Sequence, residues 1–275
     1  MKHLIFVLFP FFTMSEVVQD FTLCKKFFFN EQPPLFTPQS ISVRHICQCI
    51  WDNNKGKIYA YATLYSTTWK IPIYSAYVFG SKTIGRADAW YIEPQLDQDP
   101  EACMRTQGQN TDIGKNQALN RDYENSGYNK GQLYPMIHTD NHVSMLATST
   151  LTNAAPQDPN FNQKYWLDHE KDVAKDLKTC TKAYVVAGVV PDQNKWVNSK
   201  VKVSKYYWRA TCCQNQNGFI GKGYYGPNNN GKVEEVTIPK LQEILKKYGI
   251  DIMIFPNIQQ DERLPKRRKI EYPCN

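Results

Sequence analysis

The sequence predicts an α+β domain in which a mostly antiparallel sheet is flanked by helices and long loops. Runs of aromatic and β-branched residues between turn residues indicate strands, and residues 160–179 repeat their apolar positions with a helical period. No internal repeat or Gly/Ser-rich linker divides the 275 residues. Aromatic residues make up 13% of the chain and charged residues 21%, which excludes a disordered protein.

The first fifteen residues have the pattern of a secretory signal peptide. Lys2 precedes an apolar run from Leu4 to Phe12, about half the length that crosses a bilayer. We therefore expect a signal peptide at residues 1–15, with its boundary left open by several residues, and one secreted domain at residues 16–275. A buried N-terminal strand is the alternative. No later apolar stretch approaches membrane length, so no membrane partner is expected.

The chain has eight cysteines, and an even number behind a signal peptide favours disulfides. The sequence leaves their pairing open. A zinc site is the alternative, because Cys47 and Cys49 form one close pair and Cys212 and Cys213 another. Zinc ligands are usually separated by two to four residues, which neither pair matches.

The first half of the chain predicts a hairpin followed by a long polar segment. Residues 57–64 and 70–78 are typical strands joined by a turn, and their aromatic side chains are expected in the core. Residues 80–131 are polar with little periodicity and indicate a surface excursion that contains short elements. Residues 146–151 are interpreted as a short strand.

The clearest predicted element is a helix over about residues 160–179. Asn162, Trp166 and Glu170 lie at i, i+4 and i+8, and Val173 and Leu177 continue the stripe. The spacing therefore places the polar Asn162 and Glu170 on the apolar face of the helix.

The second half of the chain adds three strands and a short helix. Residues 184–190 are continuously apolar and predict a buried strand, and residues 200–212 and 219–225 predict two more. Residues 239–248 predict a helix, since proline begins the segment and Gly249 follows it.

Asn162 and Glu170 suggest a site for a hydrated hard cation beside the basic segment Tyr128–Gln132. Mg²⁺ gives up its waters reluctantly, so one carboxamide oxygen with a carboxylate to orient the waters can hold it. The alternative is structural, with Asn162 in the first turn of the helix and Glu170 in an ion pair at the core edge.

Three segments together carry a resemblance to a known family: Tyr128–Gln132, TLTNAAPQ at 150–157 and FNQKYWLDHE at 161–170. They resemble the DNA/RNA non-specific endonucleases, whose sites are His-Me fingers, also called ββα-metal sites. The resemblance covers about residues 24–225. It implies the His-Me finger fold, phosphodiester hydrolysis dependent on Mg²⁺ or a similar divalent cation, and binding of DNA or RNA without sequence specificity.

The resemblance also assigns roles to three polar side chains. The asparagine that binds the metal in the family matches Asn162. The glutamate that orients metal-bound water matches Glu170, and the asparagine that shapes the site matches Asn153.

The family's D-R-G-H motif departs from its pattern here and reads Asn129-Lys130-Gly131-Gln132. Gln132 takes the position of the general-base histidine, and a carboxamide does not titrate near neutral pH. Lys130 keeps the positive charge of the arginine without its planar fork. Since a general base contributes about 10²–10⁴-fold to a rate, we expect weak or lost cleavage.

Three histidines, His138, His142 and His169, lie near this site in sequence. His169 adjoins Glu170 on the helix, and adjacent helical side chains point about 100° apart, so His169 should not face the metal stripe. His138 is expected in an exposed loop, with the alternative that it swings into the site.

Nucleic-acid contacts are assigned to Lys130 and to the cluster Lys266, Arg267, Arg268 and Lys269, with a solvated surface as the alternative for the cluster. The net charge of +7 favours polyanionic partners. Two functions remain open: a secreted nuclease-family protein with weak or lost activity, or a secreted binding or structural protein that reuses the scaffold. The oligomeric state is not predicted.

Overall fold

The computed structural model describes most of the chain between residues 16 and 256, together with Cys274. The described residues are 16–37, 40–81, 85, 87, 89–109, 112–256 and 274. The predicted signal peptide and the basic cluster at 266–269 lie outside the described residues. Within these residues, the helices are too short or too polar to cross a membrane.

An eight-stranded sheet forms the centre of the protein, and every neighbouring pair of its strands is antiparallel. The strands are numbered along the chain. In spatial order they are β1 (Val17–Val18), β3 (Val43–Asp52), β4 (Gly56–Ser66), β5 (Ile71–Val78), β10 (Lys182–Val197), β11 (Val201–Asn215), β12 (Gly218–Pro227) and β13 (Glu234–Val236).

In the described part of the chain, three two-stranded ribbons and four α-helices surround this sheet. The ribbons are β2 (Leu35–Phe36) with β14 (Ile252–Met253), β6 (Tyr91–Ile92) with β7 (Arg105–Thr106), and β8 (Asn129–Gln132) with β9 (Ala154–Gln157). The α-helices are α1 (Asn120–Tyr123), α2 (His142–Ala147), α3 (Leu167–Leu177) and α4 (Ile238–Lys247), and a π-helical stretch at Phe161–Trp166 runs directly into α3. Short 3₁₀ helices lie at Thr22–Phe27, Phe29–Glu31, Pro94–Asp97, Met136–His138 and Leu151–Asn153.

Both faces of the central sheet are covered, and side chains alternate between two cores along β11. Trp208 and Ala210 pack into one core with α4 and the N-terminal 3₁₀ helices. Tyr207 lies in the other core, with Trp166 from the π-helical stretch. This alternation is the period of a strand, in which successive side chains point to opposite faces.

The indole of Trp208 requires a glycine on the neighbouring strand. Gly188 on β10 lies directly opposite Trp208, and a Cβ at Gly188 would lie 2.4 Å from Trp208 Cζ2. Trp208 is completely buried, so this space cannot be regained by a shift toward solvent. The pairing fixes how β10 and β11 pack.

The predicted α+β architecture is confirmed, with one element assigned wrongly. The hairpin at 57–78, the helix at 160–179 and the strands of the second half are present. Residues 146–151 were expected to form a strand, which is wrong. Asn141 caps α2 at its start, because its Oδ1 accepts a hydrogen bond from Ser144 N at 2.8 Å. Leu146 and Ala147 complete this helix, and Leu151 begins a 3₁₀ helix.

The polar segment at 80–131 is more buried than its composition suggests. In its described part, the apolar side chains of Ile92, Leu96, Ile113 and Leu119 are buried. Isolated apolar residues at irregular spacing give no periodic signal, and for this reason the sequence did not reveal their burial.

All eight cysteines are paired, and the disulfide prediction is confirmed over the zinc alternative. Cys212 and Cys213 are neighbours on β11 and therefore point to opposite faces of the sheet. Cys213 bonds to Cys180 just beyond the end of α3. The four bonds are Cys24–Cys47, Cys49–Cys103, Cys180–Cys213 and Cys212–Cys274.

Removing the Cys180–Cys213 bond by a double change to serine should destabilise the protein. The bond closes a loop of 33 residues, and the entropy of such a loop corresponds to about 3–4 kcal/mol in the unfolding free energy. Urea denaturation of the double variant and the unmodified protein measures the difference. Equal midpoints for the two proteins would show that this bond is not a major restraint.

Candidate functional site

The ribbon of β8 and β9, followed by the π-helical stretch and α3, forms a compact ββα unit on the central sheet. Tyr207 on β11 donates a hydrogen bond from its hydroxyl to Ala155 O at 2.8 Å. Gly131 lies at the contact, and a Cβ there would be 2.3 Å from Gln157 Oε1 and 2.7 Å from the Tyr207 hydroxyl. Only glycine lets β8 approach the sheet this closely.

Gln132 is half-buried on this ribbon, and its amide group is used as a hydrogen-bond donor. Gln132 Nε2 donates to Thr148 O at 2.9 Å, with longer contacts of 3.3 Å to Thr148 Oγ1 and 3.4 Å to Ser149 Oγ. A carboxamide held in this way accepts no proton near neutral pH. The position expected for a general base therefore holds a structural amide.

Asn153 lies at the buried centre that supports Gln132. Asn153 Nδ2 donates to Thr148 O at 2.9 Å, the same carbonyl that Gln132 contacts, and to Tyr134 O at 3.0 Å. Its Oδ1 accepts from Tyr134 N at 3.0 Å and from Ser75 Oγ at 2.9 Å. These four bonds make Asn153 a framework residue rather than one that faces a substrate.

Asn162 lies beside the ribbon within a chain of three amides. Asn129 Nδ2 donates to Asn162 Oδ1 at 3.3 Å, and Asn162 Nδ2 donates to Gln157 Oε1. Gln157 Nε2 is buried and has no hydrogen-bond acceptor in the described part of the chain. The oxygen that the sequence assigned to a metal is thus already in contact with an amide N–H.

Lys130 enters a recess with aromatic walls. Its Nζ lies 5.1 Å from the ring centroid of Trp90 and 5.9 Å from that of Tyr123, distances typical of cation–π contacts. Partial burial lowers the pKa of Lys130 from its ordinary value, and the carboxylate of Glu124 partly opposes this shift. The recess has a volume of about 370 Å³, and Asn162 also lines it.

Glu170 points into the core and contacts Arg209 instead of joining Asn162 at the recess. Glu170 Oε1 lies 3.1 Å from Nη2 of Arg209, which is fully buried on β11. Burial raises the pKa of Glu170 to about 7, although the Arg209 charge acts in the opposite direction. The π-helical stretch between Asn162 and α3 alters the phase that the sequence pattern assumed for a regular α-helix.

The expectation that His138 lies in an exposed loop is wrong. His138 is completely buried, with Nδ1 2.8 Å from the Tyr77 hydroxyl and Nε2 2.9 Å from Glu170 O. Burial lowers its pKa well below the ordinary value, and the Arg209 charge adds to the shift. His138 is therefore a neutral core histidine that joins β5 to α3.

His169 also packs into the protein, and burial lowers its pKa well below the ordinary value. Its ring centroid lies 4.7 Å from that of Trp166 and 4.7 Å from that of Tyr224. Neither contact belongs to the Lys130 recess.

The residues around Asn162 fit a divalent cation only through one neutral oxygen. The described residues contain no group of three or more His, Cys, Asp or Glu side chains that could hold a metal ion. Glu124 is the carboxylate that lines the recess, and Lys130 places a positive charge there. This donor set is compatible with a loosely held hydrated cation and not with a tightly coordinated one.

Sequence reasoning gave no role to Trp90 or Arg209. Trp90 reaches Lys130 from a segment 40 residues away, which no local pattern reveals. Arg209 did carry a signal, because a charged residue inside the apolar, aromatic run of β11 requires a buried partner.

A comparison with protein families matches residues 52–252 to the family described as DNA/RNA non-specific endonuclease. The Endonuclease domain-containing 1 protein of Homo sapiens is 31% identical over 246 residues, covering 84% of this chain and 47% of the relative. The Mus musculus protein of the same name is 30% identical over 238 residues, with 81% and 45% covered. This chain thus spans about half the length of these two relatives.

Two further similarities concern a bacterial protein and a solved structure. A Nuclease of Nostoc sp. is 32% identical over 124 residues, which cover 44% of each chain. The crystal structure of the EndoG/EndoGI complex contains a chain that superposes with a TM-score of 0.53 at 17% identity, covering 83% of this chain and 89% of that one. At this identity the superposition shows a shared fold.

Replacing Asn153 by alanine should lower the unfolding free energy by about 3 kcal/mol or more. The change removes four hydrogen bonds and leaves the buried N–H and C=O of Tyr134 without the Asn153 side chain, whereas Thr148 O keeps its bond from Gln132 and Ser75 Oγ its bond with Thr63. Thermal and urea denaturation measure the loss, and Asn160→Ala, at an exposed position, serves as the control. A loss no larger than that of the control would contradict the role of Asn153 as a framework residue.

The unfolding free energy should fall as the pH rises from about 4.5 to about 7, in part through Glu170. The folded protein holds the Glu170 proton up to a pKa of about 7, whereas the ordinary value is 4.5, so the unfolded chain loses the proton first. Glu170→Gln should remove up to about 3 kcal/mol of this decline. Denaturation of the unmodified protein and Glu170→Gln at pH 5 and pH 7.5 measures how far the unfolding free energy of each declines. An equal decline in the two proteins would contradict the raised pKa of Glu170.

Proposed function

Because the chain belongs to the DNA/RNA non-specific endonuclease family, we propose that it is a secreted nucleic-acid-binding protein whose phosphodiester hydrolysis is weak or lost. The proposed ligands are DNA and RNA, bound without sequence specificity through phosphates. The proposal separates two parts of a nuclease site, the part that binds the polyanion and the part that activates water.

One observation carries this proposal: the side chain of Gln132 donates to Thr148 O. Activating water requires a group that takes up a proton near the working pH, and Gln132 offers only an amide. His138 does not replace it, because both of its ring nitrogens are engaged in the core. Gln132 can orient a water molecule by hydrogen bonding and cannot deprotonate it.

The binding part of the proposed function rests on the recess around Lys130. The ammonium group supplies a charge for a phosphate oxygen, and the half-buried Trp90 offers an aromatic surface beside it. The net charge of +7 attracts a polyanion from a distance. The cluster at 266–269 remains part of the proposal as a second basic surface.

We also propose that Mg²⁺ or a similar divalent cation binds weakly at Asn162 Oδ1. A cation there would stabilise negative charge on a phosphate in the recess. The Asn129 amide occupies one of the two lone pairs of this oxygen, so a cation would compete with the amide for the approach to it. An aspartate at position 129 would offer a carboxylate in place of an amide donor, so the present asparagine accounts for weak cation binding.

The proposed secretion is supported by the sequence of residues 1–15 and by the four disulfides. Disulfides persist in oxidising compartments and are rare in the cytosol.

A Gln132→His variant should gain nuclease activity by about 10²-fold or more. The Thr148 carbonyl that now accepts from the amide can accept from Nδ1–H of the new imidazole, which leaves Nε2 free as a base. Plasmid and RNA degradation with Mg²⁺ and with EDTA measures the gain. Gln132→Ala is the matched control, since it removes the amide without adding a base.

A parallel binding assay separates the possible outcomes. Fluorescence anisotropy with single-stranded DNA and RNA at low salt should show binding that Lys130→Ala weakens several-fold. EDTA-sensitive cleavage by the unmodified protein would contradict the proposed loss of activity. Absence of both binding and cleavage in the unmodified protein and in Gln132→His would instead favour a binding or structural protein that reuses the scaffold.

A further inference from the structure

Gln48 and Glu93 both contact Thr152 in the TLTNAAPQ segment, and these two residues and Glu16 each have a buried side-chain oxygen without a partner in the described part of the chain. The three oxygens are Glu16 Oε1, Gln48 Oε1 and Glu93 Oε2, and each lacks a hydrogen-bond donor within the described residues. All three side chains have no exposed surface. Unpaired buried acceptors are rare, because each loses its hydrogen bonds to water.

Shared contacts bring Gln48 and Glu93 to the same point. Gln48 Nε2 donates to Thr152 Oγ1 at 2.8 Å. Thr152 Oγ1 in turn donates to Glu93 Oε1 at 3.3 Å, and Thr150 Oγ1 donates to the same oxygen at 3.3 Å. Gln48 Nε2 and Glu93 Oε1 are therefore hydrogen-bonded, whereas Gln48 Oε1 and Glu93 Oε2 remain unpaired among the residues described.

Glu16, the residue directly before β1, is the third member of this group. Its backbone carbonyl accepts from Cys47 N at 2.8 Å, next to Gln48 in the chain, and its Oε2 accepts from Cys103 N at 2.8 Å. Its backbone N–H donates to Gln95 Oε1 at 3.1 Å, and this contact brings Glu16 next to the segment that carries Glu93.

The two carboxylates have no basic partner at contact distance. None of the ion pairs among the described residues includes Glu16 or Glu93. Lys57 acts on Glu16 only over a longer range. Burying an uncompensated carboxylate costs several kcal/mol, so the pair requires either a proton or a cation.

The number of unpaired oxygens distinguishes these two possibilities. With the Gln48 amide directed at Thr152, one proton shared between Glu16 and Glu93 leaves Gln48 Oε1 without a donor and one negative charge without a partner in the described ranges. A divalent cation would neutralise both charges and would be coordinated by oxygens that have no hydrogen-bond donor among the described residues. Carboxylate and carboxamide oxygens are the donors that hard cations select.

We propose that Glu16, Gln48 and Glu93 bind a hard divalent cation, Ca²⁺ or Mg²⁺, at a buried site separate from Asn162. Thr150 and Thr152 hold the Glu93 carboxylate in place for it. The cation would fasten β1 and β3 to the loop that also carries Asn153. Its role is structural, since none of these oxygens reaches the surface.

The test is the metal content and melting temperature of the full chain after EDTA treatment and dialysis into CaCl₂ or MgCl₂. We expect one equivalent of metal per chain and a higher melting temperature with metal than with EDTA. Asn162→Ala should retain both. Glu93→Gln and Glu16→Gln should bind at least tenfold more weakly, and Asp172→Asn, on the exposed face of α3, should behave as the unmodified protein.

The proposal is overturned if the folded, unmodified chain binds neither Ca²⁺ nor Mg²⁺ and neither ion changes its melting temperature. Metal that is lost in Asn162→Ala and kept in Glu93→Gln also overturns it, by assigning the ion to the Lys130 recess. A melting temperature that rises in Glu93→Gln irrespective of metal would indicate a shared proton instead. If the glutamate variants do not fold, the unmodified chain and Asn162→Ala still decide between these outcomes.

Discussion

Strand β11 must satisfy two cores at once, and much of the architecture follows from this requirement. Trp208 fills one core, and its size requires a glycine opposite it on β10. Arg209 faces the other core, where it requires a buried carboxylate, which α3 supplies as Glu170. Tyr207 holds the ββα ribbon to the same face. A single strand thereby sets the positions of the helix and the ribbon that form the candidate site.

The candidate site lies on the ribbon and helix of the shared fold, and Gln132 contributes an amide group to it. The Thr148 carbonyl collects amide donors from Gln132 and Asn153, so the same hydrogen bond that stabilises the ribbon also orients the side chain at the position of the base. A change from imidazole to amide at this point keeps the stabilising bond. Under the proposed function, such a substitution would remove the base at little cost in stability, because the ribbon keeps its hydrogen bond to Thr148 O.

The sequence predicted the features that depend on local periodicity or on a compact motif. The hairpin at 57–78, the strands after residue 182, the α3 helix and the presence of disulfides were accessible in this way. The burial of His138 was not, because its partners Tyr77 and Glu170 come from distant segments. The separation of Glu170 from Asn162 was also hidden, since a π-helical stretch leaves no mark in the apolar pattern. Local signals therefore predicted elements better than the contacts between them.

The adjacent cysteines of β11 couple oxidation to strand alignment. Cys213 must meet Cys180 on one face, while Cys212 must meet Cys274 on the other. If β11 slipped by one residue against its neighbours, each thiol would turn to the wrong face and its partner would be out of reach. Correct oxidation is consequently possible in one alignment only, and an oxidising compartment would covalently trap the chains that had reached it.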